Sequence, residues 1–191
     1  MLLRDIEESI AVKKNILLHA KKISQLVKII SKKLLIGGKI LLCGNGGSAA
    51  DAQHIAAEFM VRLRHNIDRK ALPAISLATD TSTITACSND YNFNKVYSRT
   101  FEALANKNDI LIAISTSGNS KNIIEVLKVA KKRKIFSIAF LGNNGGAAKR
   151  YCDIDLIINS KKTSRIQEAH IFLGHHIAEQ IENFLILKKY L

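Results

Sequence analysis

Five short aliphatic runs, at residues 40–43, 74–78, 110–114, 135–140 and 154–158, alternate with segments of helical periodicity from Lys39 onward. This alternation constrains the chain more than any other feature, because parallel strands need long crossovers and the segments between the runs are long enough to supply them. Most runs are apolar throughout, as strands covered on both faces must be. The expected fold is α/β: a three-layer sandwich with a five-stranded parallel sheet flanked by helices. Residues 164 to about 187 read as one closing helix.

Ahead of the first strand, apolar residues at 3, 6, 10, 17, 20, 23, 27, 30 and 34 form a stripe on a helix or helix pair, stopped by Gly37-Gly38. A helix placed there has little of its own domain to cover. We therefore expect residues 1–36 to be a helical oligomerisation segment on a single domain spanning 1–191. No linker, repeat or low-complexity tract interrupts the chain.

No run approaches the roughly 20 apolar residues of a membrane span, and charges at Arg4, Asp5, Glu7 and Glu8 break any secretory apolar region. Cys43, Cys87 and Cys152 are odd in number and far apart, which suits reduced thiols rather than disulfides or a paired-cysteine zinc site. A cytoplasmic protein is expected. With 29 Lys and Arg against 16 Asp and Glu, the net charge of +13 raises nucleic acid and acidic membranes as partners. The basic residues are dispersed in pairs without interleaved aromatics, so they read as solvated helix faces and neither partner is expected. The one dense run, residues 131–134, falls where a helix should end and complements its dipole.

In such sheets ligands bind beyond the carboxyl ends of the strands. The first strand leads into Gly44-Asn45-Gly46-Gly47-Ser48 and then a helix, so backbone amides can approach an anion. A tight strand-to-helix turn explains that loop nearly as well. The third strand leads into Ser115-Thr116-Ser117-Gly118-Asn119-Ser120, and four hydroxyls at a helix start suit a phosphate monoester. Helix capping accounts for one hydroxyl, not four. With no Walker lysine, a sugar phosphate is favoured over a nucleoside triphosphate.

His54 and Glu58, four apart on the helix after the first loop, share a face and can reach one metal or proton-transfer site. Asn89 and Asp90 can add polar groups or form an ordinary turn. On the last helix, Ser164-x-x-Gln167 matches a capping box, and one of His175 and His176 is expected to be functional while the other packs or faces solvent. Gln167 and His175 are separated by about 12 Å along an ideal helix, so sharing one ion requires both to lean inward or other chains to contribute.

The segments 43–54, 79–82, 88–91, 114–120 and 165–170, taken together and in order, resemble the phosphoheptose isomerase family of sugar-isomerase (SIS) domain proteins, which have a flavodoxin-like fold. The resemblance covers essentially the whole chain. It implies an aldose-ketose isomerase that converts sedoheptulose 7-phosphate to D-glycero-D-manno-heptose 7-phosphate through an enediol, the first step towards bacterial surface polysaccharide, in a cytoplasmic homotetramer. It implies a phosphate site on Ser115, Thr116, Ser117 and Ser120, and sugar contacts on Asn45, Gly46, Gly47, Glu58, Asn89, Asp90 and Gln167. It implies a catalytic pair, Glu58 and His175, and one zinc ion per subunit on His54, Glu58, Gln167 and His175, with no nucleotide cofactor. The same fold also resembles non-enzymatic DnaA-initiator-associating proteins, which lack that pair. His176 and the loop Gly142-Asn143-Asn144-Gly145-Gly146 are read as departures from the family pattern, the loop touching none of the expected chemistry.

Overall fold

A computed structural model describes residues 1–191. The N-terminal stripe folds as α1 (Leu2–Asn15), a 3-10 turn (Ile16–His19) and α2 (Ala20–Leu35). The α/β body follows as β1 (Ile40–Gly44), α3 (Gly47–Met60), β2 (Ala74–Ser76), α4 (Thr81–Asp90), a short 3-10 turn (Phe93–Lys95), α5 (Val96–Leu104), β3 (Ile110–Ser115), α6 (Lys121–Lys132), β4 (Phe136–Gly142), a second short 3-10 turn (Ala148–Arg150), β5 (Ile154–Ile158) and α7 (Thr163–Leu187).

All five strands are parallel, in the order β2-β1-β3-β4-β5. Their side chains alternate between two apolar layers because successive residues point to opposite faces. Ile40, Leu42, Ile110, Ile112 and Ile114 pack under α2, α3 and α7, whereas Leu41, Cys43, Leu111 and Ala113 pack with Phe101 of α5 and Val126 of α6. The expected sandwich is the observed one. β2 is shorter than the run at 74–78, and β4 extends two residues beyond Phe140 to Gly142.

The strand order reverses direction between β1 and β3, which pair directly. At such a switch point the loops leaving the two strands diverge to opposite faces and leave a crevice between them. The loops after β1 and β3 are the glycine-rich and hydroxyl-rich segments of the sequence.

The N-terminal stripe requires a correction. Its second half does cover the chain's own domain: Ile23, Leu26, Val27, Ile30 and Leu34 are buried on the same face as α7. Its first half only borders that domain: Val12 packs on the edge of the core and Ser9 Oγ donates to Glu168 Oε2 at 2.8 Å, but α1 buries no residue and leaves Leu3, Ile6 and Ile10 exposed. A 3-10 turn separates the two helices, which periodicity alone cannot show. No helix is long and apolar enough to cross a membrane. The basic run ends α6 as expected, with Lys131 and Lys132 in the last turn.

Candidate active site

α3 starts abruptly after β1 because Gly46 takes a left-handed conformation, φ 55°, which glycine adopts without penalty. No side chain caps this helix start. The loop is held from both sides. Asn45 exchanges two amide hydrogen bonds, 2.9 and 2.8 Å, with buried Asn122 in the first turn of α6. The hydroxyl of Tyr97, buried on α5, donates to the Gly44 carbonyl. Burial pushes the Tyr97 pKa up to about 12, so it stays a donor at any physiological pH.

In the loop after β3, Ser115 Oγ accepts from the Gly118 amide at 3.1 Å and lies 3.3 Å from Ser120 Oγ. Ser117 Oγ accepts from the Asn119 amide at 3.1 Å, which leaves its own proton free to donate. Ser120 occupies the N-cap position of α6 but its side chain caps nothing. These hydroxyls are therefore not consumed by capping.

The glycine-rich loop after β4, expected to touch none of the chemistry, braces this segment from the neighbouring strand end. A Cβ at Gly118, φ 65°, would lie 2.2 Å from the Gly145 carbonyl oxygen. The Ala147 amide donates to Asn119 Oδ1 at 3.0 Å, and Asn143 Nδ2 donates to the Thr116 carbonyl at 3.4 Å. Asn143 itself sits at φ 54°. Two loops from adjacent strands meet backbone to backbone, which only glycine permits.

α3 and α7 run side by side in the same direction. At their starts, a Cβ at Gly47 would lie 2.4 Å from Gln167 Nε2. Two turns further on, a Cβ at Gly174 would lie 2.4 Å from Ile55 Cδ1. This close approach sets His54 against His175. Their Nε2 atoms are 2.8 Å apart, and His54 Nε2 is also 3.0 Å from Glu58 Oε1. The ligand atoms of His54, Glu58 and His175 all lie within 4.8 Å of one another. Asp51, one turn before His54, has a carboxyl oxygen without a partner. Burial raises its pKa, with the opposing pull of His54 the smaller effect.

The SIS domain family model matches residues 6–142. Phosphoheptose isomerase from Clostridium acetobutylicum is 48% identical over 187 residues, covering 96% of this chain and 94% of its own. Among solved structures, phosphoheptose isomerase GmhA from Neisseria gonorrhoeae superposes with a TM-score of 0.88 at 40% identity, covering 95% of this chain and 97% of its own. A phosphoheptose isomerase from Francisella tularensis gives 0.90 at 34% identity, covering 95% and 96%. The chain belongs to the phosphoheptose isomerase family of SIS-domain proteins.

Of the four residues that the phosphoheptose isomerase pattern offers to a metal, three form one group, and Gln167 holds its amide beside Gly47. The capping box at Ser164 does not form: α7 begins at Thr163 without a side-chain cap, which leaves Gln167 to the glycine loop. His175 turns to α3, whereas His176 stacks on Phe172 at a ring separation of 6.4 Å and lines a groove with Ile23 and Val27 of α2. Asn89 and Asp90 close α4, exposed and bonded to each other at 3.0 Å, with no bond to the histidine group. The sequence reading missed Asn122, Tyr97 and Gly174. Gly174 left a signal, a glycine inside a helical pattern, which often marks a close approach. Asn122 and Tyr97 left none.

Proposed function

We propose that this chain converts sedoheptulose 7-phosphate to D-glycero-D-manno-heptose 7-phosphate. The observation that carries this reading is the pairing of Glu58 and His175 across two helices whose starts flank the hydroxyl-rich loop. Ile166, next to Gln167, packs on Gly142, and a Cβ at Gly142 would lie 2.2 Å from the Thr116 carbonyl oxygen. One end of the helix pair thus serves a phosphate and the other serves the reacting carbons.

The hydroxyls of Ser115, Thr116, Ser117 and Ser120 and the amides at the start of α6 hold the phosphate without a metal or arginine. Asn45, Gly46, Gly47, Asn89, Asp90 and Gln167 hold the sugar hydroxyls. Glu58 and His175 share the proton transfers. One takes a proton from C1 of the ketose while the C2 carbonyl oxygen gains one, giving the enediol. The C1 hydroxyl then loses its proton and C2 receives one, giving the aldose. Electrons redistribute within one molecule, so no redox cofactor is consumed.

The donor set fits zinc. His54 Nε2 faces both His175 Nε2 and Glu58 Oε1 with only one proton or lone pair to offer. A zinc ion held tetrahedrally at about 2.0–2.2 Å from each ligand would set donors about 3.3–3.6 Å apart, so the 2.8 and 3.0 Å contacts would open by roughly half an ångström. His54, Glu58 and His175 would hold the ion, with Gln167 completing the set. When bound, it supplies polarisation of the carbonyl oxygen.

The exposed Leu3, Ile6 and Ile10 support assembly through α1, and the family resemblance makes the assembly a homotetramer. A cytoplasmic role in surface-polysaccharide synthesis accords with the substrate. The non-enzymatic, replication-partner reading is not favoured, because the relatives at near 50% identity are named as isomerases. Incubating the purified protein with sedoheptulose 7-phosphate, with and without chelator, is the direct test. Absence of the aldose product in both arms would reject the proposed reaction.

A further inference from the structure

Behind the histidine group lies an ion pair that the proposed reaction does not use. Glu182 of α7 and Arg69, from the segment joining α3 to β2, both have side chains 2% exposed, and Arg69 Nε lies 3.1 Å from Glu182 Oε1. The rest of the guanidinium is not spent on the carboxylate. Its Nη2 donates to the Glu58 carbonyl at 2.7 Å, and its Nη1 donates to the Phe59 carbonyl at 3.0 Å. These are among the last carbonyls of α3, which have no partner within the helix. A buried cation there also opposes the negative end of the helix dipole. Glu182 in turn accepts from Arg64 Nε at 3.3 Å, so one carboxylate gathers both ends of the 61–70 segment.

Placement gives this pair a meaning beyond stability. Glu182 is seven residues after His175, two turns further along the same face of α7. Arg69 therefore joins the main chain of Glu58 to the helix face that carries His175. A planar fork with several fixed donors suits this task, and a lysine ammonium does not reproduce it.

We infer that Arg69 and Glu182 are positioning residues that lock the end of α3 to α7 and so fix the Glu58 carboxylate against His54 and His175. This rests on the reading of His54, Glu58 and His175 as the reacting, metal-holding group. The latch acts on the reacting end of the site alone, because the phosphate loop belongs to β3 and α6.

The test measures zinc affinity, by competition with a chromogenic chelator and with no substrate present, beside kcat and KM for sedoheptulose 7-phosphate. The main variant is the double substitution Arg69→Met with Glu182→Leu, since replacing a buried pair by apolar residues of similar volume often keeps the fold. It is expected to bind zinc 10–100-fold more weakly, in the range lost when outer-shell partners of metal ligands are removed. Its kcat should fall at least tenfold with KM within twofold of wild type.

Asp109→Asn is the control. It breaks another ion pair, half-buried Lys39 with buried Asp109, at the amino end of the sheet. It should lower the melting temperature yet leave zinc affinity and kcat unchanged. Zinc affinity and kcat of the double variant within twofold of wild type would overturn the latch, as would equal losses in the control. If the double variant does not fold, Arg69→Lys decides by the same two readouts. Wild-type protein that neither turns over substrate nor holds zinc would instead sink the proposed function, and the latch with it. Turnover without zinc binding leaves kcat as the deciding readout.

Discussion

Gly174 lies so close beneath Ile55 that a single added carbon would stand 2.4 Å from Ile55 Cδ1 and 2.7 Å from Cγ1. Each residue is the chain neighbour of a histidine in the reacting group, so the gap between α3 and α7 sets the His54–His175 distance. Gly174→Val is expected to push the helices apart. Overpacking of this kind costs about 1–3 kcal/mol, to be read from urea unfolding, and turnover should fall with it. Adding Ile55→Ala should restore part of both. Full activity in the single variant would show that the close approach is not needed.

Removing a general acid or base typically costs about 10²–10⁴ in rate. Glu58→Gln keeps shape and hydrogen bonding capacity, so its kcat should fall by that factor while the melting temperature stays near wild type. Steady-state kinetics with sedoheptulose 7-phosphate checks this, and unchanged turnover removes Glu58 from the proton transfers.

The hydroxyl of Ser120 caps nothing in the protein. Ser120→Ala gives up only the long 3.3 Å bond to Ser115 Oγ within the protein, so it should lower stability by no more than about 1 kcal/mol, while it loses one charge-assisted bond to phosphate, about 1.5–3 kcal/mol, seen as KM raised roughly 10- to 100-fold. A KM unaltered by this change would take Ser120 out of the phosphate site.

His170 is fully buried beside Phe140, and neither ring nitrogen closes a hydrogen bond. Burial pushes its pKa down to about 4 from an ordinary 6.5, against a weaker opposing pull from the Leu141 backbone. The unfolded chain takes up this proton near pH 6.5 and the folded one only near pH 4, so stability is full above 6.5 and is lost as the pH falls towards 4. The whole shift corresponds to about 3 kcal/mol. His170→Leu should flatten the stability profile in that window. Parallel profiles for the two proteins, measured by denaturant unfolding from pH 7 to 4, would contradict this.

Patterns within single elements were legible in the sequence. Burial on both faces writes a strand as an apolar run, and the four hydroxyls at 115–120 exceed what a cap needs. What escaped depends on contacts between elements distant in the chain. Asn122 reads as an ordinary polar residue of a helix until β1 and β3 pair and bring it to Asn45. Arg69 and Glu182 look like two more surface charges, because nothing local announces that both will be buried. The bracing contact of the 142–146 loop escaped for the same reason: Gly145 and Gly146 answer to Gly118, in the loop that follows another strand. Likewise, choosing His175 over His176 required the direction that α7 presents to α3.

The hydrogen-bonded imidazoles of His54 and His175 stand 121 positions apart in the chain. During synthesis, a ribosome that has released everything through Ile158 has delivered all five strands and the whole hydroxyl-rich loop, yet only two of the three members of the reacting group, His54 and Glu58. α7 also supplies Ile166, Leu173, Ile177, Ile181 and Leu185 to the core beneath the sheet, so such a nascent chain lacks one wall of its core as well as a member of the reacting group. The packed core and the complete group therefore arrive together, with the closing helix.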